Sequence, residues 1–263
     1  MNGKELLESS QLSAAVAELT QQVKAHPTDI HLRTFLFELL CFQGDYQRAS
    51  KQLDVIGLKD EKTGVGIEIY RNLLQAEGTR RRVFEGVARP TFLLDPPQHV
   101  LHQLEGIACL QQGRAGDAKE IFAKAESLRP TYLGRVNGQP FSSLRDSDDR
   151  VSAVVEIFIN QTYAWIPFEQ VRALKLDPPK QLRDLLWAPV SVEIENGQGG
   201  EAFVPVLYVG SEQDDNEQVR LGRLTEWINL GEGIAGGVGQ RTFMIDNGER
   251  SLLEIRDLTM HQP

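Results

Sequence analysis

Four carboxylates crowd one short stretch of this sequence: Asp146, Asp148 and Asp149, with Glu156 soon after. Acids grouped in this way are the residue types that hold a divalent cation, or that divide general-acid and general-base work between them. The ordinary alternative is a connection between two structural regions, where aspartates cap turns and face water. No histidine lies near the group, and the Gly and bidentate Glu of an EF-hand loop are missing at the required offsets. The acids therefore read as turn caps. A metal-dependent hydrolase using Asp146, Asp148, Asp149 and Glu156 is the alternative.

Other chemistry-bearing patterns are fewer. Gly231 to Gly236 spells G-x-G-x-x-G, but a dinucleotide fingerprint needs a helix directly after it, and Gly237-Val238-Gly239 follow instead. A loop between strands is the better reading. His99 and His102 stand three apart with no third ligand spaced to complete a zinc site, so no metal or cofactor is expected. Cys41 and Cys109 lie beside Gly44 and Gly113, where small apolar residues pack, and read as buried thiols. The G-x-S-x-G, H-E-x-x-H and Walker A patterns are absent, which removes three hydrolase routes. Arg80, Arg81 and Arg82 on one helix spread over more than one face. One of them is expected to pair inward with Glu77, three or four residues earlier, and the others to face water or an acidic partner.

The elements that must position these residues change character along the chain. Of 263 residues, 28 are Lys or Arg and 37 are Asp or Glu, a net charge of −9 that disfavours nucleic acid as the main partner. With 41% hydrophobic and 25% charged residues the composition is that of a soluble globular protein, and no apolar run is long enough for a membrane span or a signal segment. A cytoplasmic location is expected. Before residue 130 the apolar residues recur at helical spacing, as in Leu32, Phe35, Leu36, Leu39 and Leu40. Gly44 precedes Ala49 by the same five residues that separate Gly113 from Ala118, and Ala15 and Ala118 each precede a proline, Pro27 and Pro130, by twelve. These spacings resemble two and a half tetratricopeptide (TPR) helix pairs, in which Gly ends one helix and a small residue lets the next cross closely. A longer helix is expected over 66–84. After Tyr132 the period shifts to two, and strands are expected over 154–159, 186–194, 202–209, 219–230, 240–245 and 252–258, with one short helix over 167–174. The expected fold is a TPR-like α–α superhelix over 1–130, followed over 131–263 by a mainly antiparallel β domain, a barrel or a sandwich.

The run from Leu36 to Ala49, with Gln52-Leu53, resembles the ImpE family, also called TagJ, of bacterial type VI secretion systems. Further matches cover nearly the whole chain: Glu77, Arg80 and Phe84; Asp148-x-Arg150 with Glu156; Tyr163-x-Trp165; Trp187; Tyr208; and Arg220 through Trp227, then Gly239-Gln240-Arg241. The chain departs from the family pattern in carrying Ser152-Ala153 where Gly-Pro is usual. The resemblance implies a non-enzymatic adaptor that engages the N-terminal helix of the small contractile-sheath subunit and links the sheath to its disassembly ATPase. In the usual TPR register it implies groove positions at His31, Thr34, Glu38, Gln103 and Ile107, with Arg80 or Arg81 meeting the partner's charged flank.

Overall fold

The computed structural model describes residues 1–57 and 64–261. Helices come first: α1 (Gly3–Glu8), α2 (Leu12–Ala25), α3 (Ile30–Phe42), α4 (Tyr46–Gly57), α5 (Gly64–Phe84), α6 (Gln98–Gln111) and α7 (Ala115–Leu128), with a two-residue strand β1 (Thr91–Phe92) ahead of α6. Local chemistry sets their ends. Asn2 and Glu5 form a capping box on α1, and the Asp29 carboxylate accepts from the Leu32 N–H to cap α3. Gly44 and Gly113 each follow a helix with φ of +72°, the left-handed conformation that turns the chain into α4 and α7. Ala49 and Ala118, five residues on, are fully buried at the crossings. At the α6–α7 crossing Gly106 lies against Phe122, so close that an added Cβ would stand 2.6 Å from the ring.

Strands dominate from residue 134 onward: β2 (Gly134–Val136), β3 (Gln139–Phe141), β4 (Leu144–Asp146), β5 (Val154–Ile159), β6 (Thr162–Pro167), β7 (Val171–Leu176), β8 (Trp187–Ile194) and β9 (Gly199–Pro205). A four-residue helix α8 (Glu217–Arg220) precedes β10 (Thr225–Asn229), β11 (Ala235–Gly239), β12 (Thr242–Ile245), β13 (Gly248–Ser251) and β14 (Asp257–Met260). Nine strands form one sheet in the order β1-β6-β5-β9-β8-β7-β14-β2-β3, antiparallel throughout except where β1 joins β6 in parallel. The sheet ends in open edges at β1 and β3, so the expected barrel is not closed. The fold is α plus β. Strands β13-β12-β4 make a second sheet and β10-β11 a separate hairpin.

The large sheet is buried on both faces at its centre, which explains the nearly unbroken apolar sequence of β5 and β6. Val154, Phe158, Tyr163, Trp165 and Trp187 join the core built by the helices. Their alternates Val155, Ile157, Ala164, Ile166 and Ala188 join a second core, shared with Phe243 of β12 and Leu258 of β14. In β5 and β6 the period of two thus assigns alternate apolar residues to one core or the other. Three expectations of local structure need correction. Residues 252–258 are not one strand, since a 3₁₀ turn over Leu252–Glu254 precedes β14. Residues 167–174 are not a helix: a single 3₁₀ turn, Phe168–Gln170, leads straight into β7, whose buried Val171, Leu174 and Leu176 alternate with exposed Arg172 and Lys175. Residues 219–230 are not one strand, because α8, capped by the Asn216 side chain, and a turn at Gly222 precede β10.

Candidate functional site

Helix α5 presents Glu77, Arg80, Arg81 and Phe84 along one side, at i, i+3, i+4 and i+7, and lays them against the helix-facing residues of the sheet. The expected inward pair is present: Arg80 Nη1 lies 3.3 Å from Glu77 Oε1, and Arg81 Nε 3.8 Å from the same oxygen. Arg80 goes further. Its Nε and Nη2 donate to the two oxygens of Glu156 on β5, at 2.7 and 3.2 Å, and Nη2 also donates to the Leu207 carbonyl at 2.9 Å. Glu156 additionally pairs with Arg241 and accepts from the Tyr163 hydroxyl. Trp187 Nε1 donates to Glu77 at 3.2 Å.

Arg241 bridges to a second half of the cluster through Asp146, at 3.1 Å. Asp146 also accepts from Tyr208 at 2.8 Å and from the Asp148 backbone N–H at 2.9 Å. Asp148 grips Arg150 through Nε and Nη2 and accepts from the Gly237 N–H of β11, while the Arg150 guanidinium lies 4.9 Å from the Phe84 ring. Burial decides the electrostatics. Asp146, Asp148 and Glu156 are 0%, 0% and 1% exposed, so each carboxylate survives as an ion only beside a guanidinium. Burial lifts the Asp146 carboxyl to about 6 against the pull of Arg241, and it lowers Arg241 to about 10 despite Asp146. At Asp148 burial acts in the same upward direction, but Arg150 outweighs it and holds the carboxyl below its ordinary value. Burial also pushes the Tyr163 and Tyr208 hydroxyls up, so they stay protonated donors.

Within this arrangement three guanidiniums and four carboxylates neutralise one another, with half-buried Arg81 adding the fourth positive charge. Arg81 stacks over Tyr46 at 4.6 Å and pairs with Glu212 at 2.8 Å. A cavity beside the cluster, lined by Tyr46, Glu77, Arg81 and Trp187 among others, is about 20 Å³, room for one water and none for a substrate. Asp149 stands apart, paired with Arg145 at 2.5 Å. Among the described residues no three His, Cys, Asp or Glu side chains are arranged to hold a metal ion. The four acids named in the hydrolase alternative are engaged by arginines, so the arrangement locks helices to strands.

The residues expected in a partner groove are not gathered on one open face. His31 is exposed in the first turn of α3, and Thr34 is half-buried with its hydroxyl donated to the Ile30 carbonyl. Glu38 is buried, accepts from Tyr70 at 3.0 Å and has its carboxyl raised by burial. Gln103 is buried with its amide against Ser152, 2.7 Å from the hydroxyl, and Ile107 is 1% exposed within the helical core. Arg80 is spent on the cluster. His31 and Thr34 are at least partly exposed, and half-buried Arg81 would have to leave Glu212 and Tyr46 to meet a partner. Of the other residues singled out, His99 pairs with Glu169 at 3.2 Å, His102 with Glu105 at 3.2 Å, and both cysteines are free and buried. Burial raises the Cys41 thiol well above its ordinary value, as expected of an inert packing residue. The Gly231–Gly236 segment makes most of the β10–β11 connection and opens β11 at Ala235, so a strand rather than a helix follows it.

Asp148, Arg150, Glu156, Tyr163, Trp187, Tyr208 and Arg241 carry no local signal of common purpose, and nothing in their spacing joins them to Arg80. Their one sequence signal was membership of the motifs that carry the resemblance, and the fold brings those motifs together around one buried point. Comparison with known proteins agrees. The model of the family described as ImpE protein matches residues 138–259. The type VI secretion system accessory component TagJ of Pseudomonas aeruginosa is 34% identical over 258 residues, 98% of this chain and 90% of that protein. A crystal structure of a Vibrio parahaemolyticus protein superposes with a TM-score of 0.91 at 25% identity, covering 99% of this chain and 98% of that one. On the extent of the shared sequence and on the buried cluster its motif residues build, the chain belongs to the ImpE (TagJ) family.

Proposed function

We propose that this protein is a non-enzymatic accessory component of a bacterial type VI secretion system. The observation that carries the proposal is the 34% identity, over nearly the whole chain, to a protein named for that role. Two further features support it. The densest group of ionisable residues is sealed and internally neutralised, and the space beside it holds about one water. In the proposed role residues 1–130 form a TPR-like scaffold that receives the N-terminal helix of the small contractile-sheath subunit in the cytoplasm. Residues 131–263 brace that scaffold, and the protein as a whole links the sheath to its disassembly ATPase. No observation favours the metal-dependent hydrolase, since its acids have guanidinium partners. Among the described residues no helix is long and apolar enough to cross a membrane.

Calorimetric titration of the full chain with a synthetic peptide of that sheath helix tests the reading. Binding in the micromolar range, about −8 kcal/mol, is expected. Absence of heat and of any fluorescence change at about 100 μM peptide refutes the sheath contact. The full chain is the right reagent because strand residues Trp165 and Trp187 complete the core of the helices.

A further inference from the structure

The edge of a β-strand is a template for another chain when its outward N–H and C=O groups have no partner and the strand is held still. Most edges among the described residues are blunted. Strand β1 has two residues, β3 and β4 have three each with Pro140 inside β3, and β13 carries Gly248, Glu249, Arg250 and Ser251 with no apolar side chain. Strand β10 differs: it has five residues, Glu226 to Asn229 are all exposed, and β11 is its one strand neighbour. Leu224, Trp227 and Ile228, each 43% exposed, stand along it. The pairing shows which backbone groups are free. Ala235, Gly237 and Gly239 of β11 turn their N–H groups away from β10, to the Asp149 and Asp148 carboxylates and the Ser211 hydroxyl. Their cross-strand partners Asn229, Trp227 and Thr225 therefore turn N–H and C=O outward on the opposite side, because the two residues of such an antiparallel pair point away from each other. Among the described residues nothing accepts from those three N–H groups or donates to those three carbonyls.

One edge of the hairpin is thus closed by side chains and the other is bare. The closed edge also anchors the hairpin, since Asp148 and Asp149 are themselves held by Arg150 and Arg145. Trp227 adds a second anchor, its ring 5.9 Å from that of Tyr208. Opposite Trp227, Gly237 makes this approach possible, because an added Cβ there would stand 2.4 Å from the Tyr208 ring. Charge selects the occupant. Over residues 214–232 five acids, Asp214, Asp215, Glu217, Glu226 and Glu232, stand against two arginines, Arg220 and Arg223. Both arginines are turned to backbone carbonyls, Arg220 to that of Asp214 and Arg223 to those of Leu7 and Glu8, while Glu226 keeps only the Asn216 amide at 3.4 Å. Glu226 and Ile228 share one face of β10, and Thr225, Trp227 and Asn229 the other. We propose that β10 accepts an added strand from a partner protein, an extended segment that sets basic residues on the Glu226 face and apolar residues beside Trp227. A second copy of this chain is the poorer occupant, because pairing β10 with itself brings two acidic segments together. The proposal goes beyond the accessory role and does not depend on it.

The test uses the full chain and a capped peptide in which Lys and Val alternate, read by fluorescence anisotropy and by amide hydrogen exchange. Binding at about 10–100 μM is expected. Exchange should slow at Thr225, Trp227 and Asn229 and change little at Glu226 and Ile228, whose N–H groups already face β11. Trp227→Val removes the ring but keeps the outward N–H, and should weaken binding about threefold. Trp227→Pro removes that N–H as well, at an edge position that proline tolerates, and should weaken it about tenfold or more. Glu226→Lys should weaken it severalfold and flatten its salt dependence. Circular dichroism and the exchange of the β11 amides check the hairpin in each variant. No binding to wild type at about 500 μM overturns the proposal, as does binding that leaves the three outward amides unprotected. Equal affinity for a peptide in which Glu and Val alternate overturns the selection by charge. A wild-type dimer in sedimentation, with the same three amides protected, assigns the edge to a second copy and overturns the proposed occupant.

Discussion

Arg80→Met is the most direct test of the buried cluster. Methionine keeps the apolar stem and most of the volume, so the change removes the guanidinium and little packing. Four contacts go: two to Glu156, at 2.7 and 3.2 Å, one to Glu77 at 3.3 Å and one to the Leu207 carbonyl at 2.9 Å. Glu156 is left with Arg241 and Tyr163 but stays buried, and removing one partner of a buried pair costs about 3–5 kcal/mol. A loss of about 3 kcal/mol is expected, because Arg241 still balances part of the charge. Glu156→Gln added to Arg80→Met should recover about 1–3 kcal/mol of the summed single losses, since the neutral amide no longer needs a cation. Urea unfolding followed by the fluorescence of buried Trp165 and Trp187 measures both. A single-variant loss below about 1 kcal/mol, or strict additivity in the double variant, refutes the claim that this pair locks α5 to β5.

The Asp146 carboxyl, raised to about 6 by burial, holds a proton that the unfolded chain has already lost above 3.8, so its contribution to stability falls as pH rises. Relative to Asp146→Asn, wild type should lose about 2 kcal/mol between about pH 4.5 and 7.5, and a flat difference in urea midpoints sinks this reasoning. Gly106→Ala and Ala118→Leu both crowd the α6–α7 crossing and should each cost about 1–3 kcal/mol, with unchanged thermal midpoints as the contrary result. Arg223 donates to the Leu7 and Glu8 carbonyls and to the Ser10 hydroxyl, so Arg223→Ala should speed amide hydrogen exchange through α1 and the start of α2 while leaving the exchange of β5 unchanged. Equal exchange in both proteins counts against the contact.

The helical part of the fold was legible because Gly44, Gly113, Ala49 and Ala118 each do a job that a local pattern encodes: ending a helix, or clearing a crossing. The strand part was legible in kind but not in bounds. Strands β2, β3 and β4 have three residues each, too few to show a period of two. The helix expected over 167–174 gives way because Pro167 closes β6 and only one 3₁₀ turn follows before β7. Helix α8 is a single capped turn that propensity cannot separate from β10. In the candidate site the Glu77 to Arg80 pair was readable from helical spacing. The Arg80 to Glu156 pair was not, because 76 positions separate the two and only packing of α5 on the sheet joins them. The burial of expected groove positions was illegible for a related reason: Glu38 lies against Tyr70 of α5 and Gln103 against Ser152, and helical periodicity carries no record of neighbours so far along the chain.

The contacts between the start of the chain and residues 217–223 bear on the order in which the protein can be completed. Ser13 is held by Glu217, 204 positions away, and the Leu7 carbonyl by Arg223, 216 positions away. Helix α1 has six residues, too few to persist alone in water. On a ribosome adding about 5–20 residues per second, roughly ten seconds or more pass between emergence of α1 and arrival of the side chains that clasp it. Helix α1 is therefore made before every other helix described and is among the last to be fixed. A nascent chain that stalls before Glu217 exposes an unclasped α1, with the Leu12 to Leu19 face of α2 beside it, to chaperones and proteases for as long as the stall lasts.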